Sequence, residues 1–163
     1  MAKWSAVAES APEFAARVRK AFEAHTYKIL ATLRADGSPR LSGIEADFVG
    51  DDLWFGSMPR AMKARDLLRD PRFALHSTPA IDLGDGPEAS PGDAKVSGSA
   101  IEVADRAEIV PLLTARGASP DAFPDSHFFR LDIDEVVLTS IDGSTMIIEV
   151  WRPGQGVRRH TRT

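Results

Sequence analysis

Phe14, Val18 and Phe22 recur every four residues between Pro12 and about His25, an apolar stripe that predicts an amphipathic helix. Ser10-Ala11-Pro12-Glu13 reads as its start: a hydroxyl for exposed amides, an early proline and a carboxylate three residues after the serine. From Tyr27 the period shortens. Tyr27 to Arg34 is rich in strand formers, Asp36-Gly37 supplies a hairpin turn, and Pro39 to Val49 returns as a second strand. A turn at Gly50-Asp51-Asp52 leads into Leu53-Trp54-Phe55-Gly56. Three strands joined by two tight turns form an antiparallel meander, which disfavours a parallel doubly wound sheet.

Ser57 to Arg69 reads as a short helix with Ala61, Ala64, Leu67 and Leu68 on one side, stopped by Asp70-Pro71. Strands are expected at Arg72–Ser77 and Lys95–Val103. Between them, Ile81 to Asp93 is poor in apolar residues and is expected to be a long loop within one domain, with Gly84–Gly92 as a candidate lid. A third helix, interrupted or bent near Pro111, is expected from Asp105 to Arg116. Phe128–Ile133, Glu135–Ile141 and Thr145–Trp151 read as strands, the last two joined by an Asp142-Gly143 turn. The expectation is a mainly β (α+β) single domain over residues 1–163. Residues 1–25 form its N-terminal helical segment, and about seven antiparallel strands suit a closed or nearly closed barrel with three short peripheral helices.

The composition narrows function mostly by exclusion. A chain of 163 residues with no cysteine has no disulfide framework, thiolate metal site or cysteine nucleophile. Its net charge of -4 disfavours nucleic-acid binding, which needs a broad basic surface. No run reaches the roughly 18 apolar residues of a membrane span, and the start lacks a signal-peptide core, so a cytoplasmic protein is expected. Phosphate-loop, dinucleotide-fingerprint, nucleophile-elbow and zinc-protease motifs are missing. His25, His76, His127 and His160 lie far apart and read as surface or packing residues, with a metal site or haem axial ligand as the other reading; no metal site and no catalytic residue is assigned.

One segment carries chemistry. In Ser57-Met58-Pro59-Arg60-Ala61-Met62-Lys63-Ala64-Arg65, a strand ends on a hydroxyl and enters a helix with three early cations. Cations are unfavourable beside helix N-terminal amides, and a bound phosphate would relieve the conflict. A solvated basic face paired with Asp66 and Asp70 is the other reading. Arg40 is in phase with Ser42, Ile44, Ala46 and Phe48 under strand alternation, so it falls on the apolar face, where a guanidinium wants an anionic partner unless it reaches water at the rim.

These residues, in this order, resemble the pyridoxamine 5'-phosphate oxidase-like, flavin-binding split-barrel superfamily. The resemblance runs from Ala31–Arg40 through Leu53–Ser57 and Lys63 to Asp70–Leu75, and more loosely over Val96–Ala100 and Phe129–Leu131. It implies a split β-barrel and FMN held in a groove between the subunits of a homodimer. Ser57 and Lys63 would take the FMN phosphate, with Gly56 and Met62 beside them, while Arg40, Leu41, Ser42 and Gly43 would line the cofactor. The implied function is a flavin-dependent oxidoreductase that transfers hydride to or from a small molecule. A deazaflavin (coenzyme F-420)-dependent reductase and a non-catalytic flavin- or haem-binding protein are the alternatives. Two departures argue against vitamin B6 oxidation: Glu45 stands where the oxidases proper have a lysine, and their C-terminal arginine motif is missing around Trp151-Arg152-Pro153.

Overall fold

The computed structural model describes residues 1–78 and 92–163. The Gly84–Gly92 lid expectation falls, but for Gly92, outside the described residues. Among the described residues, four helices and eight strands follow one another as α1 (Trp4–Ser10), α2 (Pro12–Glu23), β1 (Tyr27–Leu33), β2 (Pro39–Val49), β3 (Asp52–Ser57), α3 (Met62–Arg69), β4 (Arg72–His76), β5 (Asp93–Glu102), α4 (Arg106–Ala115), β6 (His127–Asp142), β7 (Thr145–Arg152) and β8 (Gly156–Arg162).

The sheet runs β3-β2-β1-β4-β5-β6-β7-β8, and a further pairing of β3 with β6 closes its first six strands into an antiparallel barrel. Closure removes the open edges that strands of this length would otherwise present. Alternation puts Leu30, Ile44, Leu53, Phe55, Leu75, Val96, Phe129 and Leu131 inside, where they form one core with Trp4, Val7, Phe14, Val18 and Phe22 of α1 and α2. A smaller cluster of Trp54, Val103, Ile109, Leu112, Leu113 and Phe128 fixes α4 on the outside of the barrel. No helix among the described residues is long and apolar enough to cross a membrane.

The expected meander is present, and Phe14, Val18 and Phe22 are buried as their spacing predicts. Several expectations are corrected. Ser10 does not cap α2. It ends an additional helix, α1, which buries only Trp4 and Val7 and so leaves no repeating stripe. The Ser10 hydroxyl donates to the Ala6 carbonyl and accepts from Trp151 Nε1 at 2.8 Å, tying the N-terminal segment to β7. Helix α4 continues through Pro111. Leu68, expected on the apolar side of α3, is exposed.

The two strands expected on either side of Asp134 are a single long strand, β6. Its pairing with β5 shifts register between Ser97 and Gly98, which face Glu135 and Ile133 and leave Asp134 as the extra residue. A bulge breaks side-chain alternation without ending the strand, so it mimics a boundary in sequence. The final strand, β8, was not expected. Its Arg158, Arg159, His160, Thr161 and Arg162 are exposed and carry no apolar alternation, and it is held by pairing to β7.

Candidate functional site

The site forms at the barrel end where β1, β3 and β5 finish and β2, β4 and β6 begin. Hairpin register sets Thr32 directly opposite Arg40. Both side chains point inward, and α3 lies against this end with Ala64 and Leu67 buried in the core. Asp66, on the same helix, therefore meets them. Its Oδ2 accepts from Arg40 Nε at 2.7 Å and from Thr32 Oγ1 at 2.9 Å, and its Oδ1 accepts from Arg69 Nη2 at 3.1 Å. Burial alone would push this carboxyl up, but the hydrogen bonds from Arg40, Thr32 and Arg69 outweigh it and hold the group below the usual carboxylate range. The anionic partner that the position of Arg40 calls for is thus supplied by the chain itself.

The other cations differ. Lys63 Nζ donates to the Gly43 carbonyl at 3.2 Å, and among the described residues neither it nor Arg60 or Arg65 has a carboxylate within ion-pair distance. Asp66 pairs with Arg40 and Arg69, and Asp70 with Arg72, so the basic face is not neutralised by the two acids expected to do so. Helix α3 begins at Met62, later than expected. Met58–Ala61 form a turn closed by a 3.2 Å bond from the Ala61 amide to the Met58 carbonyl, with Arg60 at φ 61°. Pro59 followed by a left-handed residue is the arrangement of a type II turn, in which the second position favours glycine. The N-cap residue Ala61 offers no side-chain acceptor and the first helical turn holds no acid, so the leading amides have no anionic neighbour in the helix.

Ser57 faces the barrel interior at the end of β3. It is 6% exposed, and its Oγ is buried with no hydrogen-bond partner among the described residues. A buried hydroxyl without a partner costs about 1–3 kcal/mol, so a ligand oxygen arriving there would recover that amount. Opposite Ser57 across the β3–β6 seam is His127, whose Nδ1 lies 2.7 Å from Oε1 of Glu102 at the end of β5.

The remaining expected residues divide between the two faces of the sheet. Arg40 and Ser42 share the inward side of β2 with Ile44, whereas Leu41 and Gly43 are on its outer side. A Cβ on Gly43 would meet nothing within 4 Å, so this stretch of backbone lies open to a flat partner. Met62 is exposed beside Lys63. Gly56 lies on the opposite face of β3 from Ser57, against Phe128 and Arg116. The structure thus joins Lys63 to the second strand through Gly43 and places Ser57 at the same barrel end. Thr32 and Glu102 were not singled out from sequence, Asp66 was expected only as a partner of the basic helix face, and His127 only as a surface or packing residue. Thr32 was legible, because the Asp36-Gly37 turn sets it opposite Arg40. His127 could also have been found, because it is in phase with Phe129, Leu131 and Ile133.

Around the open backbone at Gly43, the outer face of β1 and β2 carries an apolar patch bordered by Glu45. Tyr27 (67% exposed), Ile29 and Leu41 (72%) project from it, with Ala31 between Leu41 and Ala74 in register. A shallow apolar cleft of about 260 Å³ adjoins it, lined by residues that include Ala31, Leu33, Pro39 and Phe73.

Known proteins share this architecture. PhzG from Burkholderia lata 383, solved in complex with tetrahydrophenazine-1-carboxylic acid, superposes with a TM-score of 0.62 at 17% identity, over 94% of this chain and 87% of its own. A heme-binding protein from Mycobacterium smegmatis gives 0.58 at 22% identity, over 90% of this chain and 56% of its own. An F420 reductase gives 0.50 at 21% identity, over 68% and 88% respectively. At these identities the likeness is one of fold. No curated protein matches the sequence. The family model described as pyridoxamine 5'-phosphate oxidase matches residues 14–140, from within α2 to within β6. With most of its length covered by that model and a closed six-stranded barrel carrying two further strands, the chain belongs to the pyridoxamine 5'-phosphate oxidase family.

Proposed function

We propose that this protein binds FMN at the Ser57–Lys63 corner and works as a flavin-dependent oxidoreductase on a small molecule. The observation that carries the reading is the Ser57 hydroxyl, buried and unpartnered at the barrel end where α3 begins with uncapped amides. A phosphate fits these donors: the hydroxyl and the leading amides donate to its oxygens, and the Lys63 ammonium, lacking a carboxylate partner, balances its charge. Arg40 serves indirectly, by fixing α3 against β2 through Asp66. When bound, the flavin ring would supply the hydride chemistry, which accounts for a chain without a recognisable acid–base motif. The contribution of the protein is to bind and orient. Gly43 leaves the backbone of β2 open to a flat ring, and the apolar outer face excludes water beside it.

The same outer face supports a homodimer. Tyr27, Ile29 and Leu41 around the small residues Ala31, Gly43 and Ala74 form an apolar sheet surface of the kind buried between subunits. Lys63 contacts Gly43 at its border, so a second copy seated there would complete the groove.

Equilibrium titration of the purified protein with FMN, riboflavin and coenzyme F-420, followed by fluorescence, tests the reading. FMN binding tighter than riboflavin is expected. Preference for F-420, whose phosphodiester tail also suits a basic helix entrance, would replace FMN with the deazaflavin. Absence of binding by either phosphorylated flavin would overturn the assignment.

A further inference from the structure

Ser57 and His127 are direct partners on adjacent antiparallel strands, so their side chains share a face with Cβ atoms about 5 Å apart. We propose that His127 is a further ligand of a phosphate monoester at this corner, with Glu102 as its positioning residue. This rests on the reading that a phosphorylated cofactor docks at Ser57 and Lys63. His127 Nδ1 donates to Glu102 Oε1 across 2.7 Å, a bond that fixes the tautomer and ring direction and leaves Nε2 available. Among the described residues Nε2 has no partner. The ring stacks on Phe129 at 6.3 Å between centroids, which restricts its rotation further.

Burial orders the two side chains. The Ser57 hydroxyl is buried, whereas the His127 side chain is 23% exposed, so the imidazole stands nearer the rim of the corner. Glu102, the carboxylate partner of His127 among the described residues, holds the ring so that Nε2 is turned away from that carboxylate and can meet a phosphate group at the corner. The pair lies on β5 and β6, outside the strand–helix segment that holds Ser57 and Lys63, and so adds a second wall to the corner.

The test compares FMN with riboflavin, which lacks the phosphate, on the full chain. In the His127→Ala variant the FMN Kd is expected to rise about tenfold, the scale of one charged hydrogen bond, with the riboflavin Kd unchanged within about twofold. His127→Gln, which keeps a polar group near the position of Nε2, is expected to recover part of the loss. It also serves as the test protein if the alanine variant does not fold. Glu102→Gln is expected to weaken FMN and spare riboflavin. Wild type that prefers FMN, with variants that retain the full preference, would overturn the role of His127 while leaving the Ser57–Lys63 reading intact. Wild type that binds FMN no better than riboflavin would overturn that reading and this inference with it. Equal loss of both flavins in well-folded variants would make the pair structural and overturn the inference alone.

Discussion

Arg40 Nε donates to Asp66 Oδ2 across 2.7 Å, joining the start of β2 to the middle of α3 with side chains only 17% and 2% exposed. A buried pair of this kind is costly to break from one side, because the surviving charge loses both water and partner. Asp66→Ala also strands the Thr32 hydroxyl and frees Arg69. The expected loss is about 3–5 kcal/mol by urea denaturation, at the scale of other broken buried pairs. A loss below about 1 kcal/mol would mean that α3 is held by Ala64 and Leu67 alone.

The same carboxyl sets a pH dependence. Its folded pKa lies below the unfolded value of about 3.9, so its contribution to stability is complete above that value and is lost as pH falls through the folded pKa. Asp66→Asn removes the titration. The stability difference between wild type and this variant is therefore expected to stay constant near neutrality and to shrink from about pH 4 downward. Asp70, drawn down to about 2 by hydrogen bonds from Arg72, titrates in both proteins and cancels in the difference. A difference that does not vary with acidity would contradict the charged state assigned to Asp66.

Lys63→Ala separates binding from folding. Among the described residues its Nζ has one hydrogen bond, to the Gly43 carbonyl, and no ion pair, so the melting temperature of the apo protein should change little. FMN affinity should fall by about 1.5–3 kcal/mol, the range for a hydrogen bond to a charged group. Fluorescence titration checks this, and unchanged affinity would remove Lys63 from the phosphate site.

Arg60 sits at φ 61°, where a side chain costs roughly 1–2 kcal/mol and glycine costs nothing. Arg60→Gly should therefore raise stability by up to about 1 kcal/mol, after the added freedom of the unfolded chain is counted. It should also weaken FMN, because a cation is lost at the helix entrance. Greater stability with weaker binding is the signature expected of strain kept at a binding corner. Parallel urea denaturation and FMN titration read the two effects, and a variant that gains no stability would remove the strain argument.

The sequence revealed what local periodicity governs. The Asp36-Gly37 hairpin, the stripe of α2 and the inward phase of Arg40 all depend on neighbours a few residues away. The partner of Arg40 did not, because Asp66 is 26 residues distant and meets it only once the barrel has closed. The cations after Ser57 were legible as a cluster, but which of them the chain would neutralise was decided by tertiary packing. Two failures came from misleading local signals: the bulge at Asp134 imitates a strand boundary, and β8 hides its strand character behind Arg158, Arg159 and Arg162. His127 was discounted because it lacks ligand spacing in sequence, whereas its relation to Ser57 and Glu102 is one of sheet register.

Two glycines in the strands should respond in opposite ways to the same substitution. At Gly98, a Cβ would lie 1.9 Å from the Asp132 carbonyl oxygen and 3.0 Å from the Asp134 amide nitrogen. Both contacts are backbone, so relief requires β5 and β6 to part at the bulge, in the seam that continues the barrel wall. Gly98→Ala is thus expected to cost more than about 4 kcal/mol, in the range reserved for severe steric conflict, and to yield little folded protein. At Gly43 the space is open, so Gly43→Ala should keep stability within about 0.5 kcal/mol. If β2 lies against a flavin and a second subunit there, that same methyl should lower FMN affinity and weaken the dimer, which titration and sedimentation would detect. Full FMN affinity and an unchanged dimer in Gly43→Ala would place both elsewhere on the barrel.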